Sequence, residues 1–250
     1  MGHDVAGLLC VRQRGRYGMD TGEHVMAAPD GLDIVLPASR DRLETMLRAL
    51  EPELVLCAGF PWKIPPAALA VPPLGIVNFH PALLPRGRGP NPVAWAIRNG
   101  EEEIGVTFHR MVPELDAGPI LSQAALTLRD EWSWDELGPR LREVVVEILP
   151  LALRRAEAGD PGDPQDESAA EYRSFFEPEY ATIDWARPAA EIVRQVRAWR
   201  FAGSAHGVPG ALAEIGGEQV RVLRVSPEGP DGTPVECGDG TVWVLETEAV

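Results

Sequence analysis

The sequence predicts an α/β fold: a mostly parallel sheet with helices on both faces, then a small β-rich domain. Three observations carry this expectation. Short apolar runs with β-branched residues alternate with amphipathic helical patterns through residue 157. An acidic stretch rich in Gly and Pro, AGDPGDPQDES (158–168), then interrupts the chain without one large apolar residue. After it come short alternating segments separated by turn signals such as Gly216-Gly217 and Asp239-Gly240. The expected division is residues 1–157 for the first domain, 158–171 for a linker and 172–250 for the second.

Each element has its own signal. Val5–Val11, LDIVLP (32–37), ELVLCAG (53–59) and GIVNFH (75–80) read as buried strands. Between them, SRDRLETMLRAL (39–50) spaces Leu43, Met46, Leu47 and Leu50 on one helical face, with Ser39 as the expected N-cap. Phe60–Pro73 is a proline-rich loop with a short helix near Ala67–Ala70. PVAWAIRN (92–99) is helical, with Gly100 as its stop. IGVTFHRM (104–111) and ILSQAALTL (120–128) are two further strands. A helical pattern runs from Trp134 to Glu157, where Pro150 marks a kink or a second start. In the C-terminal part, Pro188 opens a helix with Ile192, Val193, Val196 and Trp199 on one face. ALAEI, QVRVLRV, PVEC and TVWVLET supply the strands.

Composition narrows the function classes. At 45% hydrophobic residues the chain can bury a core, which excludes wholesale disorder. No apolar run reaches the length of a membrane span, and the N-terminus lacks the features of a secretion signal. Cys10, Cys57 and Cys237 are scattered, with no CxxC pair, so no structural zinc is expected and a reduced, cytoplasmic protein fits. The net charge is −15, and residues 151–250 hold 18 acidic side chains against 9 arginines. Such a balance disfavours polyanionic partners generally.

The chemistry-bearing residues gather at strand ends, where ligands of α/β sheets bind. Asn78 and His80, two apart in GIVNFH, present an amide and an imidazole on one face. Asp116 lies in an acidic turn, PELDAGPIL. Three such groups suit acyl transfer: the amide donates to an oxyanion, the imidazole donates or shuttles a proton, and the carboxylate orients the imidazole or accepts a proton. The residues alone equally suit a turn asparagine, a satisfied histidine and a turn aspartate. His109 reads as a structural strand residue. Arg86 and Arg88 read either as anion binders for an acceptor or as solvated loop charges.

The stretch GIVNFHPALLPRGRGPNPVAWAIRNGEEEIGVTFHRMVPELDAGPIL resembles the folate-dependent formyltransferases. The matching pieces are NxHPxLLPRxRG, Asn99-Gly100 followed by Gly105-Val-Thr, and LDAGPIL. The similarity runs from Gly2 to Leu128 and, more weakly, through IDWARPAAEIVRQVRAW to the end. The layout, with its C-terminal domain, is most like that of methionyl-tRNA formyltransferases, and sugar N-formyltransferases are similar too. The resemblance implies a Rossmann-variant catalytic domain and an OB-like C-terminal domain. It also implies 10-formyltetrahydrofolate as co-substrate, no metal, and a primary amine as acceptor, either methionyl-tRNA or a small amine. Asn78, His80 and Asp116 would be catalytic. Phe60, Trp62 and Ile64 in one loop, and Val112 and Leu115 in another, would hold the folate, with Arg86 and Arg88 on the acceptor. Hydrolysis of the same donor, and folate binding without catalysis, are the alternatives. The basic loop Arg12–Arg14–Arg16 stands where methionyl-tRNA enzymes carry one. Relative to the family, the chain begins near the second strand, so a sheet lacking the first strand is expected.

Overall fold

The computed structural model describes residues 2–11, 25–202, 210–229 and 231–250. The Arg12–Arg14–Arg16 loop, His24 and His206 lie outside the described residues. The chain forms two compact units: Met1–Arg88 with Gly105–Leu126 and Asp135–Glu171, and Gly89–Ile104 with Thr127–Trp134 and Tyr172–Val250.

In the first unit, β1 (Leu8–Leu9) and β2 (Ile34–Val35) pair in parallel. A second sheet has the order β3–β4–β5–β6, from Val55–Ala58, Ile76–His80, Glu103–Arg110 and Ile120–Thr127. Its β3–β4 pair is parallel and its β4–β5 pair antiparallel. The α/β class with parallel-paired strands is as expected, and the β4–β5 pair adds an antiparallel join. Apolar runs show that strands are buried and leave their direction unspecified.

Helix α1 (Leu43–Leu50) buries Leu43 and Leu47. Its first turn is not capped by Ser39, whose side chain makes no cap bond; a 3₁₀ turn at Arg40–Arg42 leads in instead. Leu43 and Leu47 form a core with Cys57, Ile64, Ala68 and Ile76. Ala68 belongs to the one-turn helix α2 (Pro66–Leu69). Helix α3 (Pro92–Asn99) stops at Gly100, whose φ of 69° lets Glu101 N reach Ala96 O at 2.9 Å. Helix α4 (Trp134–Glu157) runs unbroken through Pro139 and Pro150. Leu137, Leu141, Ile148, Ala152 and Ala156 line its buried face, and this burial outweighs the lost backbone bonds.

Residues 158–171, read from composition as a linker, lie in the first unit. Ile120 and Asp163 exchange two backbone hydrogen bonds of 2.8 Å. Arg155, near the end of α4, grips Asp160 and Asp163 at 2.6 and 2.8 Å.

The second unit is β-rich beyond helix α5 (Ala189–Phe201). Strands β7 (Leu212–Ile215), β8 (Glu218–Ser226), β9 (Thr233–Cys237) and β10 (Gly240–Ala249) form an antiparallel sheet of order β7–β8–β10–β9. Ile192 and Val196, the expected apolar face of α5, pack with Val222 and Val244 of this sheet. In the same unit the Arg98 guanidinium lies over the Tyr180 ring at 3.8 Å and the Trp95 ring at 4.4 Å.

Candidate active site

Strand register builds the site. Antiparallel pairing sets Asn78 opposite His109 and His80 opposite Thr107. Alternation puts all four side chains on one face of β4 and β5. Thr107 and His109 are fully buried, and His80 is 6% exposed. The Thr107 hydroxyl donates to Ala82 O at 2.6 Å, and Gln123 Nε2 donates to Leu84 O and to Thr107 Oγ1 at 2.9 and 2.8 Å. The loop following His80 is thereby tied to β5 and β6. A Cβ on Gly105 would overlap the Leu83 side chain, so the glycine before Val-Thr is needed for the loop to lie down.

Asp116 is brought to the same face by a tight turn after β5. Its φ is 54°, a left-handed value rare outside glycine. A Cβ on Gly118 would overlap Arg110 O, so only glycine lets the LDAG turn close against β5. The Asp116 carboxylate, 8% exposed, then spans two imidazoles: Oδ2 lies 3.8 Å from His80 Nδ1 and Oδ1 lies 3.6 Å from His109 Nε2.

The tautomers follow from the partners. His109 Nδ1 faces Arg110 O at 3.0 Å, so this nitrogen carries the proton and donates. His109 Nε2 is then an acceptor and takes one N–H from Asn78 Nδ2, 3.2 Å away. The Asn78 amide is thus oriented with its nitrogen toward the site and keeps a second N–H free of His109. His80 Nε2 donates to Gly87 O at 2.8 Å, which turns Nδ1 toward Asp116. Burial pushes His80 below the usual imidazole range; Asp116 and the Gly87 carbonyl oppose this, and His109 adds to it. His80 is therefore neutral at pH 7, with a vacant Nδ1 that can take a proton beside a carboxylate. Cys57 pairs with Asn78 across β3–β4, but burial pushes its thiol up to about 12, so it supplies no thiolate.

The other expected residues are placed differently. Ile64 is a core side chain, and Phe60 and Trp62 pack half-buried against that core, edge to face with centroids 5.8 Å apart. Val112 is half-buried, whereas Leu115, next to Asp116, is 45% exposed. The Arg88 guanidinium is taken up internally: Nη1 and Nη2 donate to Glu167 at 3.0 and 2.7 Å, and Nε and Nη2 to Gln165 Oε1. Arg86 is exposed. His109, expected as a structural strand residue, lies in cross-strand register with Asn78 and meets its amide at 3.2 Å. Among the described residues there is no group of three His, Cys, Asp or Glu side chains able to hold a metal ion. No helix among them is long and apolar enough to cross a membrane.

Comparison with known proteins gives two family matches. Residues 35–153 match the Formyl transferase family, and residues 176–249 match Formyl transferase, C-terminal domain. The methionyl-tRNA formyltransferase of Methylococcus capsulatus is 35% identical over 253 aligned residues, covering 94% of this chain and 80% of that protein. Among solved structures, HypX from Aquifex aeolicus in complex with tetrahydrofolic acid superposes with a TM-score of 0.72 at 22% identity. That match covers 96% of this chain and 44% of HypX. Methionyl-tRNA formyltransferase from Clostridium thermocellum superposes with a TM-score of 0.62 at 17% identity, covering 98% of both chains.

Proposed function

The chain belongs to the formyl transferase family, and we propose that it moves a formyl group from 10-formyltetrahydrofolate to a primary amine. The observation that carries the chemistry is the Asp116 carboxylate set between His80 and His109, with the Asn78 amide held on His109. Such a buried cluster of fixed donors beside a carboxylate suits acyl transfer to nitrogen.

The residues divide the work as follows. Asn78 donates its free N–H to the formyl oxygen as negative charge develops there during attack by the amine. His80 supports the same charge from its Nδ1 side once Asp116 has passed on to it the proton that the amine loses. Asp116 stabilises that imidazolium and accepts the proton that the amine loses. Return of the proton to the departing donor nitrogen balances the exchange: one C–N bond forms and one breaks. For the donor, Phe60, Trp62, Val112 and Leu115 are the proposed apolar contacts. The half-buried aromatic pair and the exposed Leu115 leave apolar surface that suits a flat heteroaromatic ring. Ile64 contributes through its backbone, since its side chain is in the core.

For the acceptor we propose methionyl-tRNA. The support is the name of the 35%-identical relative and the match to the family's C-terminal domain. Arg86, which is exposed, is the loop cation proposed to meet it, ahead of Arg88. A small amine is the second reading, favoured by the net charge of −15. The test is to incubate the protein with 10-formyltetrahydrofolate and charged initiator tRNA or small amines, and follow tetrahydrofolate release. Release only with the charged tRNA supports the first reading, and release only with a small amine supports the second. Equal release without any amine means hydrolysis and rejects transfer.

A further inference from the structure

The acidic Gly/Pro stretch after α4 runs past both loops of the site, and one of its side chains joins them. Gln165 Nε2 donates to Asp116 O at 2.8 Å and to Gly118 O at 2.7 Å. Its Oε1 accepts from Arg88 Nε at 3.0 Å and Nη2 at 2.9 Å. Both ends of the amide are therefore in use, one on the LDAG turn and the other on the LLPRGRG loop. The surrounding contacts hold the segment in register. Asp163 is paired with Ile120, Glu167 is bound to Arg88, and Arg88 N donates to Glu171 O at 2.9 Å. Glu171 N donates to Pro85 O at 3.2 Å.

The two carbonyls that Gln165 holds matter for the chemistry. Asp116 sits with left-handed backbone in the turn between β5 and β6, and its carbonyl accepts from Gln165. Fixing the Asp116 and Gly118 carbonyls fixes the peptide planes of the turn. Those planes set the direction of the Asp116 carboxylate, which reaches His80 and His109 at 3.8 and 3.6 Å. Buried Arg88 cannot meet an anion with all of its nitrogens while they hold Gln165 and Glu167. Its guanidinium instead sets the Gln165 amide so that oxygen faces Arg88 and nitrogen faces the turn.

We propose that Gln165 is a positioning residue for formyl transfer, aiming Asp116 at the two histidines, with Arg88 as its support. The proposal rests on the formyl-transfer reading above. Loss of Gln165 leaves the turn free to relax, and displacement of the carboxylate by about an ångström costs on the order of 10- to 100-fold in kcat.

Two variants test this on the full-length protein. Gln165→Met has similar volume, carries no charge and loses all four hydrogen bonds. Gln165→Glu keeps the bonds from Arg88 and loses the donation to the turn. Both are expected to lower kcat by about 10- to 100-fold, with KM for the donor within about threefold. In Gln165→Met, the His80 imidazole followed by NMR is expected to titrate at lower pH, because Asp116 no longer faces Nδ1 while Gly87 O and His109 remain. Wild-type kcat in Gln165→Glu overturns the proposal by showing that the Arg88 bonds suffice. Lower kcat in Gln165→Met with unchanged His80 titration overturns it as well, leaving a purely structural side chain. Failure of the wild-type protein itself to turn over the donor counts against the formyl-transfer reading, and the NMR titration still decides whether Gln165 positions Asp116.

Discussion

Asn78, His80, His109 and Asp116 are held by strand register and hydrogen bonds, whereas Phe60 and Trp62 are held by apolar packing and Leu115 is left at the surface. Both groups belong to one unit of the molecule, and they differ in what fixes them. On β4 and β5, bonds to Arg110 O, Asn78 and Gly87 O dictate which imidazole nitrogen carries a proton. In the loop after β3 the side chains rest on the Leu43–Ile76 core, with Phe60 and Trp62 edge to face. Groups that move protons need fixed direction, while groups that hold a flat ring need area. Substitutions should therefore separate kcat from KM along this line.

The largest effect is expected at the carboxylate. Asp116→Asn keeps shape and volume but removes the base and the counter-charge for His80; kcat falls about a thousandfold while thermal unfolding changes little. Steady-state kinetics beside a melting curve checks both halves, and near-normal kcat contradicts the assignment. Next comes His109→Met, which leaves the Asn78 amide without its acceptor. The expected loss in kcat is about 10- to 100-fold, with donor KM nearly constant. A rise in KM alone would move His109 out of the catalytic group and into the binding surface. On the other side of the comparison, Trp62→Ala is expected to raise donor KM about tenfold, roughly 1.4 kcal/mol, with kcat unchanged.

The smallest effect concerns pH. Buried His80 binds its proton less readily in the folded protein than in the unfolded chain. Between its lowered folded value and the ordinary value of 6.5, the unfolded state thus holds more protons. His80 therefore lowers stability progressively as pH drops below 6.5, and this contribution is absent at higher pH. Urea unfolding at about pH 5.5 and about pH 7.5 should show a larger difference for wild type than for His80→Gln. An equal difference would mean that His80 is not the group being titrated.

What the sequence revealed follows the range of the interactions. Asn78 and His80 were legible because strand alternation is local, and the helix stop at Gly100 and the apolar face of α5 were legible for the same reason. The contact between His109 and Asn78 was not, because the two lie 31 residues apart and meet through an antiparallel register that composition leaves undetermined. Gln165 was hidden for a related reason. Its acceptors are backbone carbonyls 49 and 47 residues back, and the Gly/Pro content around it looked like a linker. Arg88, open in the sequence to anion binding or to a solvated loop position, is held by Gln165 and Glu167. The Ser39 cap failed because a 3₁₀ turn supplied the lead-in to α1.

The formyl carbon itself can be followed from donor to acceptor. Donor labelled with carbon-13 in the formyl group is incubated with the wild-type protein or Asp116→Asn, together with charged initiator tRNA. The recovered acceptor and any released formate are then read by mass spectrometry. Formyl transfer through Asp116 predicts label in the amide of the acceptor, matched by tetrahydrofolate, for the wild type and almost none for Asp116→Asn. Label found only in formate, or equal labelling of the acceptor by Asp116→Asn, would contradict it.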